Sequence, residues 1–238
     1  METESKKFSL STPVAVVIAG AFIAVAVFFG MRGAPSTGTL PQQPVAQQPT
    51  GDLEQMKPIT DTDHIRGNPD APVKIVEYSD TECPFCKRFH ETMKQVVAEY
   101  GDKVAWIYRH FPLDSLHSKA RSEAVALECA GEQGGNEKFW SYADRLYEIT
   151  PSNNGLDATE LPKIAQYVGL DAAKFNACLK SGKYDQHIEA EVQNATATGG
   201  NGTPWSIVVA ANGKKYPLSG AQPYAQVKQL IDTALSAQ

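Results

Sequence analysis

Within residues 73–110 the hydrophobic period of the chain changes twice in 38 residues. Residues 73–78, Val-Lys-Ile-Val-Glu-Tyr, are rich in strand formers and follow Pro72. Over residues 84–100, Phe85, Phe89, Met93, Val96, Val97 and Tyr100 recur at helical spacing, and Gly101 stops the run. Residues 104–110 return to strand character. A strand, a helix and a strand in so short a span predict a parallel βαβ unit.

Helix-like patterns follow over residues 118–130, 137–149, 159–168, 172–180 and 185–197. Strand character resumes at 205–210 and 214–218, joined through Asn212-Gly213, a strong hairpin signal, and a last helix covers 223–235. The order βαβ, helices, ββα predicts an α/β fold. It is a small mixed sheet with an all-helical domain, about residues 112–199, inserted after the second strand. Residues 63–238 are enough for one such domain with a core.

The front of the chain differs. No charged residue lies between Lys7 and Arg32, and residues 14–29 are all apolar or Gly. As a helix, residues 10–31 reach roughly 33 Å, enough to cross a hydrocarbon core of about 30 Å. A cleaved signal peptide is the rival, but its apolar region is usually only about 7 to 15 residues, and Phe28-Phe29-Gly30-Met31-Arg32 makes a poor cleavage site. The expectation is an uncleaved transmembrane helix, with residues 1–32 forming a cytoplasmic N-terminus and anchor. The Lys6-Lys7 pair places the rest of a single-pass cell-membrane protein on the extracytoplasmic side. Residues 33–62, rich in Pro, Gln, Thr and Gly, are expected to be a disordered linker. A net charge of −5 and a pI near 5.6 give no footprint for nucleic acid.

Cys83 and Cys86 stand two residues apart, just after the first strand and at the start of the first helix. Helix-end N–H groups favour a thiolate at Cys83, while Cys86 sits one turn inside as the resolving thiol. A c-type haem site needs His directly after the second Cys, and residue 87 is Lys. A zinc site wants a second close pair; His90 could join, but no fourth ligand is evident, so no metal is expected. A structural bridge over so tight a loop gains little. Redox chemistry is the reading these residues favour.

The stretches "KIVEYSDTECPFCKRFHETM", "YRHFPL", "ALECAGEQGGNEKFW", "GTP" and "NGKK" resemble the membrane-tethered DsbA-like thiol oxidases of the thioredoxin superfamily, over nearly all of residues 66–236. The resemblance implies a thioredoxin fold and a thiol:disulfide oxidoreductase that inserts disulfides into exported proteins. It implies no cofactor beyond the cysteine pair, exported proteins with free cysteines as partners, and recharging by a quinone-linked membrane oxidase. Disulfide isomerases and reductases share these residues, and a non-catalytic binding module is a further alternative.

Residue by residue, the resemblance implies that Thr203-Pro204 is the cis-proline loop facing the redox pair, which binds extended substrate. Glu77, six residues before Cys83, matches a buried acid that exchanges a proton with Cys86; an outward-facing strand Glu is the plainer alternative. Pro84-Phe85 departs from the His of the best-known members, which puts the strength of oxidation in doubt. Trp205 after the proline is unusual and suggests packing or substrate contact only. Cys129 and Cys178, on two helices of the insertion, are expected to pair as a structural disulfide in an exported protein. Free buried thiols or a second relay stay open. His110, His117 and His187 read as surface or packing residues, with a place for the first two near the active-site rim left open.

Overall fold

The computed structural model describes residues 51–237. The expected anchor within residues 1–32, and residues 33–50 of the expected linker, lie outside them. Among the described residues no helix is long and apolar enough to cross a membrane.

The elements run β1 (His64–Gly67), β2 (Val73–Ser79), α1 (Pro84–Tyr100), β3 (Val104–His110), α2 (Ala120–Ile149), α3 (Glu160–Tyr167), α4 (Ala172–Leu179), α5 (Asp185–Ala197), β4 (Trp205–Val209), β5 (Lys215–Ser219) and α6 (Tyr224–Ser236). The strands form one sheet in the order β1-β3-β2-β4-β5. β2 and β3 are parallel, from Val73 opposite Val104 to Ser79 opposite His110. The other pairings are antiparallel. This is the expected mixed sheet, with the helical insertion α2–α5 between β3 and β4. β1 is an addition: four partly exposed residues on the sheet edge, too short to show a period in the sequence.

α1 starts where it does for a local reason. Cys83 is its N-cap in extended backbone, and Pro84 fills the first helical position, where no N–H partner is required. Gly101, at φ 51°, closes the other end. α2 is two helical arms broken at Gly134 and Gly135, the latter at φ 68°, which explains the gap in the helical pattern between residues 130 and 137.

Side chains alternate along β2. Val73 and Ile75 join Phe89, Met93, Trp106 and Tyr108 in a core under α1 and the insertion. Val76 and Tyr78 join Ile107, Ala195, Trp205 and Ile207 on the other face. Trp205 is therefore a packing residue there, 2% exposed, with its indole N–H on the Thr198 hydroxyl at 3.0 Å.

Residues 51–62, grouped with the linker on composition, lie against this second face. Leu53, Met56 and Ile59 pack on its core. Asn194 grips the segment through Lys57 N at 3.1 Å and Gln55 O at 2.7 Å. The buried Arg109 guanidinium donates to Lys57 O, Pro58 O and Asp63 Oδ1 at 3.1, 3.0 and 2.8 Å.

Candidate active site

The turn from β2 into α1 brings both cysteines to the end of the sheet. Neither is bonded; Cys83 is 4% exposed and Cys86 fully buried. The Thr203–Pro204 peptide bond is cis, and Thr203 O lies 3.5 Å from Cys83 Sγ. Phe85 projects into solvent, with the Arg88 guanidinium 5.3 Å above its ring. It sends no hydrogen-bond donor toward the sulfurs.

The two thiols are driven apart. The hydrogen bond from Cys86 lowers the Cys83 pKa to about 6 against the effect of burial, helped by Thr203 and by the N–H groups of Cys86 and Phe85. Burial, and then the negative charge on Cys83 and Glu77, push Cys86 well above its ordinary value. At neutral pH the charge belongs to Cys83 and the proton to Cys86. Alkylation of the reduced protein with iodoacetamide should accordingly modify Cys83 alone, with a rate that rises through an inflection near pH 6. An inflection at the ordinary thiol value, or equal labelling of Cys86, would refute this polarity.

Beneath the pair, Glu77 is 1% exposed on the sheet face under α1, not the outward face. Its Oε2 accepts the Trp106 indole N–H at 2.8 Å, and its Oε1 has no partner. Burial raises its pKa to about 7, against the lowering influence of the Ser79 hydroxyl and the Trp106 hydrogen bond. A carboxyl that titrates near neutrality can give or take a proton during turnover.

Sequence reasoning missed a polar layer around the loop before Cys83. Asp80 donates its N–H toward Cys86 Sγ at 3.4 Å, and its Oδ2 lies 2.9 Å from His117 Nδ1. His117 is thus a buried packing residue beside the active-site loop, in the place left open for it. Glu82 is fully buried: its carbonyl accepts Asn153 N at 2.7 Å, and its carboxylate accepts Gly155 N and Leu156 N at 3.2 and 3.3 Å. Glu123 beside it is raised to about 9, by burial first and then by Glu82. The only signal in the sequence is the density of acids in Asp80-Thr81-Glu82, which a surface turn would show equally.

The other histidines serve the fold. His64, His110 and His187 place Nε2 atoms 3.0, 2.9 and 3.6 Å from Glu128 Oε1. Burial opposes ionisation of Glu128, but hydrogen bonds from His110, His187 and His64 hold it well below the usual carboxylate range. His90 Nε2 meets Asp144 at 2.7 Å. Among the described residues no cluster is arranged to hold a metal ion. Cys129 and Cys178 are joined, with S–S 1.96 Å, linking α2 to α4.

Comparison with known proteins agrees with this geometry. The family described as Thioredoxin matches residues 59–233. The chain belongs to the thioredoxin family. Among solved structures, this thioredoxin-family chain is similar to DsbA2 of Pseudomonas aeruginosa, at 30% identity and a TM-score of 0.64, covering 76% of this chain and 98% of that one. It is also similar to a thioredoxin-like oxidoreductase of Silicibacter pomeroyi, at 25% identity and a TM-score of 0.64, covering 75% and 95%. These neighbours support a DsbA-like oxidoreductase of the thioredoxin superfamily.

Among curated relatives, the Na(+)/H(+) antiporter NhaA 1 of Mycolicibacterium gilvum is 34% identical over 172 residues, which are 71% of this chain and 26% of the antiporter. The chain spans about a quarter of the length of such relatives. These names correct the expected localisation. Single-pass placement in the cell membrane, with the domain outside, rested on one uncharged run at residues 8–31. The curated relatives are named as Na(+)/H(+) antiporters, and on that finding the placement is withdrawn.

Proposed function

We propose that this chain is a thiol oxidase that passes the Cys83–Cys86 disulfide to cysteine pairs of unfolded polypeptides. The observation that supports it most is the polarity of the pair: Cys83 lowered to about 6, Cys86 raised well above its ordinary value. A substrate thiolate attacks Cys83 Sγ, the Cys83–Cys86 bond breaks, and Cys86 leaves with the electron pair and takes a proton. A second substrate thiolate then attacks the substrate sulfur of the mixed disulfide. The substrate leaves oxidised by two electrons, and Cys83 departs as a stable thiolate. A thiol of low pKa is a good leaving group, which drives exchange toward substrate oxidation. Backbone beside the cis Thr203–Pro204 bond lies against Cys83, as binding of an extended substrate segment requires. The Cys129–Cys178 bridge fits a protein that works in an oxidising compartment.

The test is the stability of the two redox forms. In reduced protein the Cys83 pKa is depressed from 9.0 to about 6 on folding. The stability this contributes is complete above the unfolded value and disappears as pH falls through about 6. At neutral pH, about one unit of that window is in force, worth roughly 1 kcal/mol after solvent screening. Reduced protein, its Cys129–Cys178 bridge intact, should unfold at higher denaturant than oxidised protein at neutral pH, and the gap should narrow under mild acid. Phe85 adds no donor, so the gap is modest. A reduced form that unfolds first would favour the reductase or isomerase reading.

A further inference from the structure

Glu77 makes no direct hydrogen bond to either thiol: Oε2 is held by Trp106, and the buried Oε1 has no partner. Ser79 acts on both groups: its hydroxyl lowers the pKa of Glu77 and of Cys86. It lies two residues on from Glu77 along β2 and so shares its face of the sheet. Asp80, the next residue, holds Cys86 Sγ at the end of that strand through its N–H at 3.4 Å. Ser79 Oγ lies 3.0 Å from the Tyr147 hydroxyl, which lies 3.1 Å from the Tyr108 hydroxyl. None of the three residues is more than 2% exposed, so bulk water does not compete for these contacts.

We propose that the Ser79 hydroxyl relays the proton between Glu77 and Cys86, and that Tyr147 and Tyr108 hold it in line. This deepens the oxidase reading and rests on it. A hydroxyl can accept one hydrogen bond while donating another, which a relay needs and a carboxylate fixed by Trp106 cannot supply alone. When the Cys83–Cys86 bond breaks, the Cys86 thiolate takes the Ser79 proton, and Ser79 takes the proton of the Glu77 carboxylic acid. The net change is one proton moved from Glu77 to Cys86, with no change in redox state. Electrons move only between sulfurs. The direction is downhill, since Glu77 titrates near 7 and Cys86 well above 9.0. Burial also pushes both tyrosines well above their ordinary values, so they stay protonated and act as fixed donors.

The test follows reduction of the Cys83–Cys86 bond by dithiothreitol in stopped flow, with rates corrected for the dithiothreitol thiolate. Wild-type protein should slow as pH rises through about 7, where Glu77 loses its proton. Ser79→Ala should be slower by roughly tenfold to a hundredfold and lose that inflection. Ser79→Thr keeps a hydroxyl and should recover both. Ser79→Ala combined with Glu77→Gln should be no slower than Glu77→Gln alone, because both interrupt one path. A Ser79→Ala protein that keeps the inflection, whatever its rate or stability, would overturn the relay. Wild-type protein inert to the dithiol would instead overturn the thiol-exchange reading, and the relay with it.

Discussion

Cys86→Ser should convert the protein into a trap. Its serine hydroxyl still reaches Cys83 and keeps the thiolate supported, but no second thiol can displace a partner from Cys83. In the reduced variant, the Cys83 thiolate attacks a disulfide of the partner, one partner sulfur leaves, and the mixed disulfide persists. Non-reducing electrophoresis with mass spectrometry should show bands that disappear on reduction, carrying Cys83 joined to partner cysteines. Cys83→Ser should trap none, because Cys86 is fully buried and keeps its proton. Oxidase turnover should fall below detection in both variants, so trapping and not rate separates the roles. Equal trapping by the two would dissolve the division of labour.

The second large effect concerns stability. Cys129 and Cys178 close a loop with a sequence separation of 49. On the chain-entropy model, a loop of this size stabilises the fold by about 4 kcal/mol, a large part of the 5–15 kcal/mol typical of a domain. Replacing both cysteines with Ala should lower the urea midpoint accordingly, measured with Cys83–Cys86 oxidised. The low pKa of Cys83, about 6, makes it the better leaving group, so mild reductant should open the active pair while leaving the bridge closed. A loss under about 1 kcal/mol would mean that helix packing in the insertion already restricts the chain.

What the sequence discloses and what it hides divide along physical lines. The βαβ unit is legible because β2, α1 and β3 have clean periods, and because Pro84 and Gly101 mark the ends of the helix. Glu77 becomes notable only through resemblance, since a strand Glu normally faces water. Ser79 and Tyr147 escape because their contact joins residues 68 apart, and local pattern carries no information over that distance. For His117 the sequence leaves surface and packing roles both open for the same reason: Asp80, its partner, is 37 residues away. Residues 51–62 escape because their composition is that of a coil. Arg109 and Asn194 hold their backbone groups, and Leu53, Met56 and Ile59, too few to show a period, pack on the core.

Glu82 bears on how such a fold can be divided. Its backbone and carboxylate hold the loop at residues 153–156, so the residue next to the nucleophile is a fastening point for the insertion. The helical region is therefore not a detachable ornament on a self-sufficient sheet. Excising residues 112–199 would strip a buried carboxylate of its donors and loosen the turn that aims Cys83. The clasp at Glu82 must travel with the catalytic turn.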